Sequence, residues 1–205
     1  MTEFRNPSTI VASAGVVADP AYGSLTPPLV ASDTFRWPDS DTKPDYDYSR
    51  TVNPNRDMLV AALAELEGAA GGVATNSGQS AALLALLLLP TGAHVIAPHD
   101  CYGGTFRLIK GFEEQGRLKA TFIDMLDDKA FERAMTEDPA LVWIETPSNP
   151  LLRITDTADR AARAKQAGAL VIADNTLPTP CRQRPLALGC NLVMHSTTKA
   201  LNGHG

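Results

Sequence analysis

Cysteine is scarce and unsuited to cross-linking. Cys101, Cys181 and Cys190 form no CxxC pair and leave an odd thiol, which excludes a disulfide scaffold or a zinc ribbon and points to a reducing, cytoplasmic setting. His94, His99, His195 and His204 lack metal-ligand spacing; they read as polar or loop histidines, with His195 a candidate support for a nearby site. The longest apolar run, Ala81 to Leu89, is too short to cross a bilayer, and Met1 to Pro7 lacks the pattern of a secretory leader. Positive charge is in deficit: 18 Lys+Arg face 23 Asp+Glu, with no polybasic stripe. Neither nucleic acid nor an anionic membrane is therefore an expected partner. No GxxxxGK[ST] occurs and no GxGxxG follows a strand-like run, and Thr75 stands where a nucleophile elbow at Ser77 requires glycine. No internal repeat or low-complexity tract is present.

What the sequence does hold is an α/β rhythm. Its 205 residues, 44% apolar and 20% charged, suit one α/β domain or one and a half. Residues 1–55 stand apart, with seven of the 15 prolines and an acidic stretch from Asp39 to Asp47. They predict an irregular N-terminal arm, ordered by wrapping something else, since Phe35, Trp37, Tyr46 and Tyr48 argue against pure disorder. Residues 56–205 predict the main domain. Leu59, Leu63 and Leu66 recur at helical spacing, with Glu65 and Glu67 pointing away and Gly68 as the stop. Val73 to Asn76 reads as a short extended piece, followed by a helix from Gly78 toward Pro90. Apolar runs at Ala93–Ala97, Ala120–Ile123, Leu141–Glu145, Ala169–Asp174 and Asn191–His195 then alternate with amphipathic segments near 105–116, 127–137 and 156–167. Continuous apolar strands separated by helices predict a mostly parallel sheet with both faces covered.

Ligands of such sheets sit beyond the carboxyl ends of the strands, and each run here ends in polar or aromatic residues. Lys199 is one of only six lysines and follows an apolar run and three hydroxyl residues. A lysine withdrawn from the surface is costly unless its amine is used chemically, as in a Schiff base, whereas a solvent-facing lysine is the ordinary alternative. Asp174 ends another run, where a buried carboxylate needs a cation such as a protonated pyridine nitrogen. Ser196 and Thr198 offer hydroxyls to a phosphate, and Ser77-Gly78 opens a helix whose free N–H groups attract anions; a plain serine N-cap is the simpler reading there. Tyr102, before Gly103-Gly104, supplies a flat ring on a loop that permits close approach, although core packing is a tyrosine's usual fate. Together these groups fit pyridoxal 5'-phosphate.

Several motifs in order carry a family resemblance: Tyr48-Ser49-Arg50, Asn53-Pro54, Ser77-Gly78, Asp100 to Thr105, Glu145-Thr146-Pro147-Ser148-Asn149-Pro150, Asp174-Asn175-Thr176, and Ser196-Thr197-Thr198-Lys199 with Gly203-His204. From about Ala14 onward the sequence resembles the Cys/Met-metabolism family of pyridoxal-phosphate enzymes. The resemblance implies the large domain of the type I aminotransferase-like transferases. It implies Lys199 as Schiff-base lysine and proton shuttle, Asp174 on the pyridinium nitrogen, and Tyr102 stacked on the ring and assisting catalysis. It further implies Asn149 on the phenolic oxygen, Thr176 beside the ring, and Ser77, Gly78, Gln79, Ser196 and Thr198 around the phosphate. Tyr48 and Arg50 are implied to reach the phosphate of a neighbouring subunit, in a homo-oligomer built as a dimer of dimers.

The activity implied is transsulfuration: γ-replacement on O-acylhomoserine by cysteine to give cystathionine. Cleavage of cystathionine at its γ or β carbon–sulfur bond and sulfhydrylation of O-acylhomoserine are the alternatives. Asn55 replaces the family's usual threonine, Gln79 a methionine, Asn191 an aspartate, and Ala200 an aromatic residue. The family's C-terminal domain, with the arginine that binds the substrate carboxylate, has no counterpart in these 205 residues, so a fragment or a broken gene is expected. A catalytically inactive remnant is the alternative of another class, and a generic nucleotide-binding domain a third.

Overall fold

Five short apolar runs form one parallel sheet: β1 (Ala93–Pro98), β2 (Leu118–Ile123), β3 (Leu141–Glu145), β4 (Leu170–Asp174) and β5 (Leu192–Met194). In the computed structural model, which describes residues 5–16, 19 and 21–204, the strand order is β2-β1-β3-β4-β5 and every pairing is parallel. Every residue of β1 and β3 is buried, as expected of strands covered on both faces. The chain divides into two compact units, residues 1–74 and 75–205.

In the second unit, the helices are α3 (Gly78–Leu87), α4 (Gly103–Glu114), α5 (Asp128–Met135), α6 (Thr157–Gln166) and the single turn α7 (Thr179–Arg182). Alternate strand residues face opposite ways, and this sorts the core in two. Val95, Ala97, Leu141 and Trp143 pack with Leu86 of α3 and Ile109 of α4. Ile96, Val142, Ile144 and Val171 pack with Phe131 of α5 and Ala161 and Ala164 of α6. The helices following β1 and β3 therefore lie on opposite faces. Between those strands the order reverses, which opens a crevice at their carboxyl ends.

The first unit, expected to be irregular up to residue 55, contains the helix α1 (Pro7–Ser13), started by the Asn6 side chain and an N-terminal proline. It also holds α2 (Pro54–Glu67), closed by Gly68 in the left-handed conformation at φ 71°. Arg5 pairs with Glu65. Thr34 and Tyr48 form an antiparallel bridge, and the rings of Phe35 and Tyr46 lie 5.8 Å apart. Asn55 bonds both backbone groups of Val30, accepting at 3.2 Å and donating at 2.9 Å.

Two sequence expectations need correction. Glu67 does not point away: it is 2% exposed, because it follows Leu63 by four residues and shares its face. The last run stops at Met194, so His195 lies outside β5. Asn191, where an aspartate was the family habit, accepts the Val171 N–H at 3.0 Å and donates its own to Val171 at 2.8 Å.

Candidate functional site

The crevice between the ends of β1 and β3 is lined by the loops that follow those strands. Tyr102 caps α4 from the loop after β1 and is 44% exposed. Gly104 lies beside it, where a Cβ would sit 2.5 Å from the Tyr102 ring and 2.9 Å from the Gln79 side chain. The missing side chain at 104 thus brings Tyr102 and Gln79 together.

Gln79 belongs to the first turn of α3, whose N-cap Ser77 accepts the Ser80 N–H at 3.1 Å. That first turn contains no acidic residue, leaving its positive end uncompensated. A Cβ on Gly78 would lie 2.7 Å from the Ser196 Cβ and 3.1 Å from its Cα, so only glycine lets the helix start reach Ser196. The Ser196 and Thr198 hydroxyls are 3.0 Å apart. Two hydroxyls beside a helix N-terminus make an anion cradle.

The cradle connects to the sheet through Thr176, whose Oγ1 accepts the Ser196 N–H at 2.9 Å. Thr176 in turn donates its N–H to Asp174 at 3.0 Å. Asp174 is 9% exposed. Burial raises its pKa, against the lowering effects of the Thr176 hydrogen bonds and the nearby His195 charge. A cation brought to this carboxylate would offset its burial.

Lys199 follows on the turn after Ser196, its N–H directed to the Ser196 carbonyl at 3.4 Å. It is exposed, as in the solvent-facing one of the two readings the sequence left open. Asn149, also exposed, donates its backbone N–H to Glu145 at 3.0 Å. Tyr48 and Arg50 lie in the first unit and meet each other: the guanidinium donates to the Tyr48 hydroxyl, and its carbon is 5.2 Å from the ring centre.

Sequence reasoning gave Glu145 no role, although it ends an otherwise apolar strand just as Asp174 does. It is 5% exposed. Burial, then the charges of Asp174 and Asp100, push its pKa up to about 7 despite N–H donation from Tyr102 and Asn149. Cys101 beside it is pushed up to about 12, first by burial and then by Glu145; its thiol stays protonated and packs as a neutral group. Among the described residues no group of His, Cys, Asp and Glu could hold a metal ion, and no helix is long and apolar enough to cross a membrane.

The donor set therefore fits one small molecule bearing a phosphate, a ring nitrogen that becomes cationic, and a group reactive toward an amine. Comparison with known proteins agrees. Residues 8–205 match the model for Cys/Met metabolism PLP-dependent enzymes. The chain is 45% identical to cystathionine γ-synthase of Escherichia coli over 98% of its length and 52% of that protein's. It is 39% identical to cystathionine γ-lyase of Bacillus subtilis over 96% of its length and 52% of that protein's. The crystal structure of cystathionine γ-synthase from Xanthomonas oryzae in complex with aminoacrylate and cysteine superposes with a TM-score of 0.95 at 45% identity, covering 98% of this chain and 52% of that one. The chain spans about half the length of these relatives.

Proposed function

The chain belongs to the Cys/Met metabolism PLP-dependent enzyme family, and from that premise we propose that it forms the cofactor-binding part of a transsulfuration enzyme. The reaction is replacement of the γ-oxygen substituent of O-acylhomoserine by the sulfur of cysteine, yielding cystathionine and a carboxylic acid. The observation that carries the cofactor reading is the connected series Asp174, Thr176, Ser196 and the N-terminus of α3. It provides a carboxylate for a ring cation and a cradle for a phosphate at the ends of adjacent elements. The likeness to two cystathionine γ-synthases at 45% identity supports γ-replacement, with the reactions of the cystathionine lyases at 39% and 43% identity as the alternatives.

Pyridoxal phosphate, when bound, supplies an aldehyde that takes up amines and a protonated ring that withdraws electrons from the carbon beside the nitrogen. Asp174 would hold the ring nitrogen in its protonated form. Ser196, Thr198 and the N–H groups of Gly78 and Gln79 would hold the phosphate, with Ser77 fixing the start of α3. Tyr102 would cover one face of the ring, Thr176 would pack beside it, and Asn149 would bond the ring oxygen. Lys199 would present its amine to the aldehyde and carry protons to and from the substrate carbons. Its exposed position on a turn leaves that amine free to move. The intact enzyme would be a homo-oligomer in the cytoplasm, with Tyr48 and Arg50 serving a neighbouring subunit.

The experiment has two arms. Titration with pyridoxal phosphate is expected to give a visible absorption band that Lys199→Ala abolishes; no Lys199-dependent band would mark an inactive remnant. Assay of a full-length relative with O-succinylhomoserine plus cysteine, since this chain spans about half of such a protein, is expected to yield cystathionine. Breakdown of cystathionine supplied alone, without that synthesis, would assign a lyase instead, and incorporation of free sulfide a sulfhydrylase.

A further inference from the structure

We infer that Glu145 is the positioning residue of the cofactor site, its carboxylate fixing the two backbone segments that present Tyr102 and Asn149. The inference rests on the cofactor reading above. The ladder between β1 and β3 ends with the pair Ile96 and Val142, so beyond it the sheet does not tie the two departing loops together. Glu145 supplies the tie. The Tyr102 N–H donates to both carboxylate oxygens, at 3.0 and 2.9 Å, and the Asn149 N–H donates to Oε1 at 3.0 Å. A second link runs beside it, from the Ser148 hydroxyl to Asp100 at 2.6 Å, and Ser148 also accepts the Arg153 N–H at 3.1 Å.

This is a costly way to join two loops. A carboxylate at this depth gives up its hydration, and Asp174 and Asp100 face it with charge of the same sign. Its oxygens are engaged by backbone N–H groups at the base of the loops, so it acts through the residues it holds. Above about pH 7, where the carboxyl is ionised, its bonds to the two N–H groups are charge-assisted and stronger than neutral ones. They set where the Tyr102 ring and the Asn149 side chain leave the backbone. Placement within about 0.5 Å is what a preorganised site needs.

The test uses the full chain with Glu145→Ala and Glu145→Gln, the latter nearly isosteric and expected to fold. Hydrogen–deuterium exchange of the cofactor-free protein is followed in peptides containing Tyr102, Asn149 and, for comparison, Lys199. Pyridoxal phosphate affinity and the pH midpoint of the bound cofactor's visible band are measured alongside. In Glu145→Ala, exchange at the Tyr102 and Asn149 peptides is expected to rise about tenfold, with the Lys199 peptide unchanged. The dissociation constant is expected to rise about tenfold or more and the midpoint to shift. Glu145→Gln keeps one acceptor oxygen, so intermediate changes are expected, largest at Tyr102.

Wild-type exchange in both variants would overturn the inference. So would faster exchange with affinity and midpoint unmoved, because Glu145 would then be only a structural tie. Absence of the Lys199-dependent band in wild-type protein would overturn the cofactor reading itself, and it would be seen before any Glu145 variant is made.

Discussion

Asp174 and Glu145 occupy equivalent places, each the last residue of a buried strand whose register pairs them directly. The sequence signal was the same for both: a carboxylate closing an apolar run. Asp174 was legible because a chemical partner for it could be named, whereas the partners of Glu145 are backbone N–H groups from distant loops, which no residue type announces. Lys199 shows the reverse. Its identity was legible, but its sequence left buried and solvent-facing readings open; the strand before it stops at Met194 and leaves it exposed on a turn. Glu145 also predicts a pH effect. Its carboxyl keeps a proton up to about pH 7 in the fold, against an ordinary value of 4.5. Between those values the folded state holds more protons than the unfolded chain, so this contribution to stability is full below 4.5, declines as pH rises, and is lost above about 7. Asp174, also raised, acts in the same direction. Urea unfolding at pH 5 and pH 8 should therefore show a smaller loss of stability for Glu145→Gln than for wild type. Equal losses would disprove the assignment.

At the scale of elements, the five strands and the longer helices were legible because burial on both faces and a 3.6-residue period leave strong patterns. The seven-residue α1 was not, since a helix so short shows no sustained period and leaves only its Asn-Pro start as a signal. Nor was the joint between α5 and α6. Buried Arg160 donates to the Met125 carbonyl at 3.0 Å, pairs with Asp128 at 2.7 Å and Asp159 at 2.6 Å, and lies 4.7 Å from the Phe131 ring centre. Arg163, on the next turn, reaches the same ring at 4.9 Å and Asp128 at 3.1 Å, but its side chain is more open to solvent. Sequence alone shows two similar arginines on one helix face. Burial separates them: Arg160→Ala is expected to cost about 1–3 kcal/mol through its unmet partners, and Arg163→Ala under about 1 kcal/mol. Arg160→Lys should recover little, because an ammonium lacks the planar fork. Denaturant midpoints check this ranking, and equal costs for the two alanine variants would disprove it.

At the scale of the whole molecule, alternating strands and helices implied a parallel sheet but not its order, since the reversal between β1 and β3 depends on which face each helix takes. The first 55 residues were least legible, because their prolines break the periods from which structure is read. Their Tyr48 and Arg50 nevertheless form a pair, a guanidinium held over a phenol ring, which offers a cation and a hydroxyl to a phosphate. The proposal that this pair serves a neighbouring subunit makes a prediction that one chain alone cannot imitate. Lys199→Ala protein should give no visible cofactor band, and Arg50→Ala protein should bind the cofactor about tenfold or more weakly. When the two are dissociated, mixed and reassembled, a pair containing one of each has one intact site, with Lys199 from one chain and Arg50 from the other. Random pairing makes half the pairs mixed, so roughly a quarter of all sites should regain wild-type affinity. If Arg50 instead serves the site of its own chain, every site in the mixture lacks either Lys199 or Arg50, and no tight-binding fraction appears.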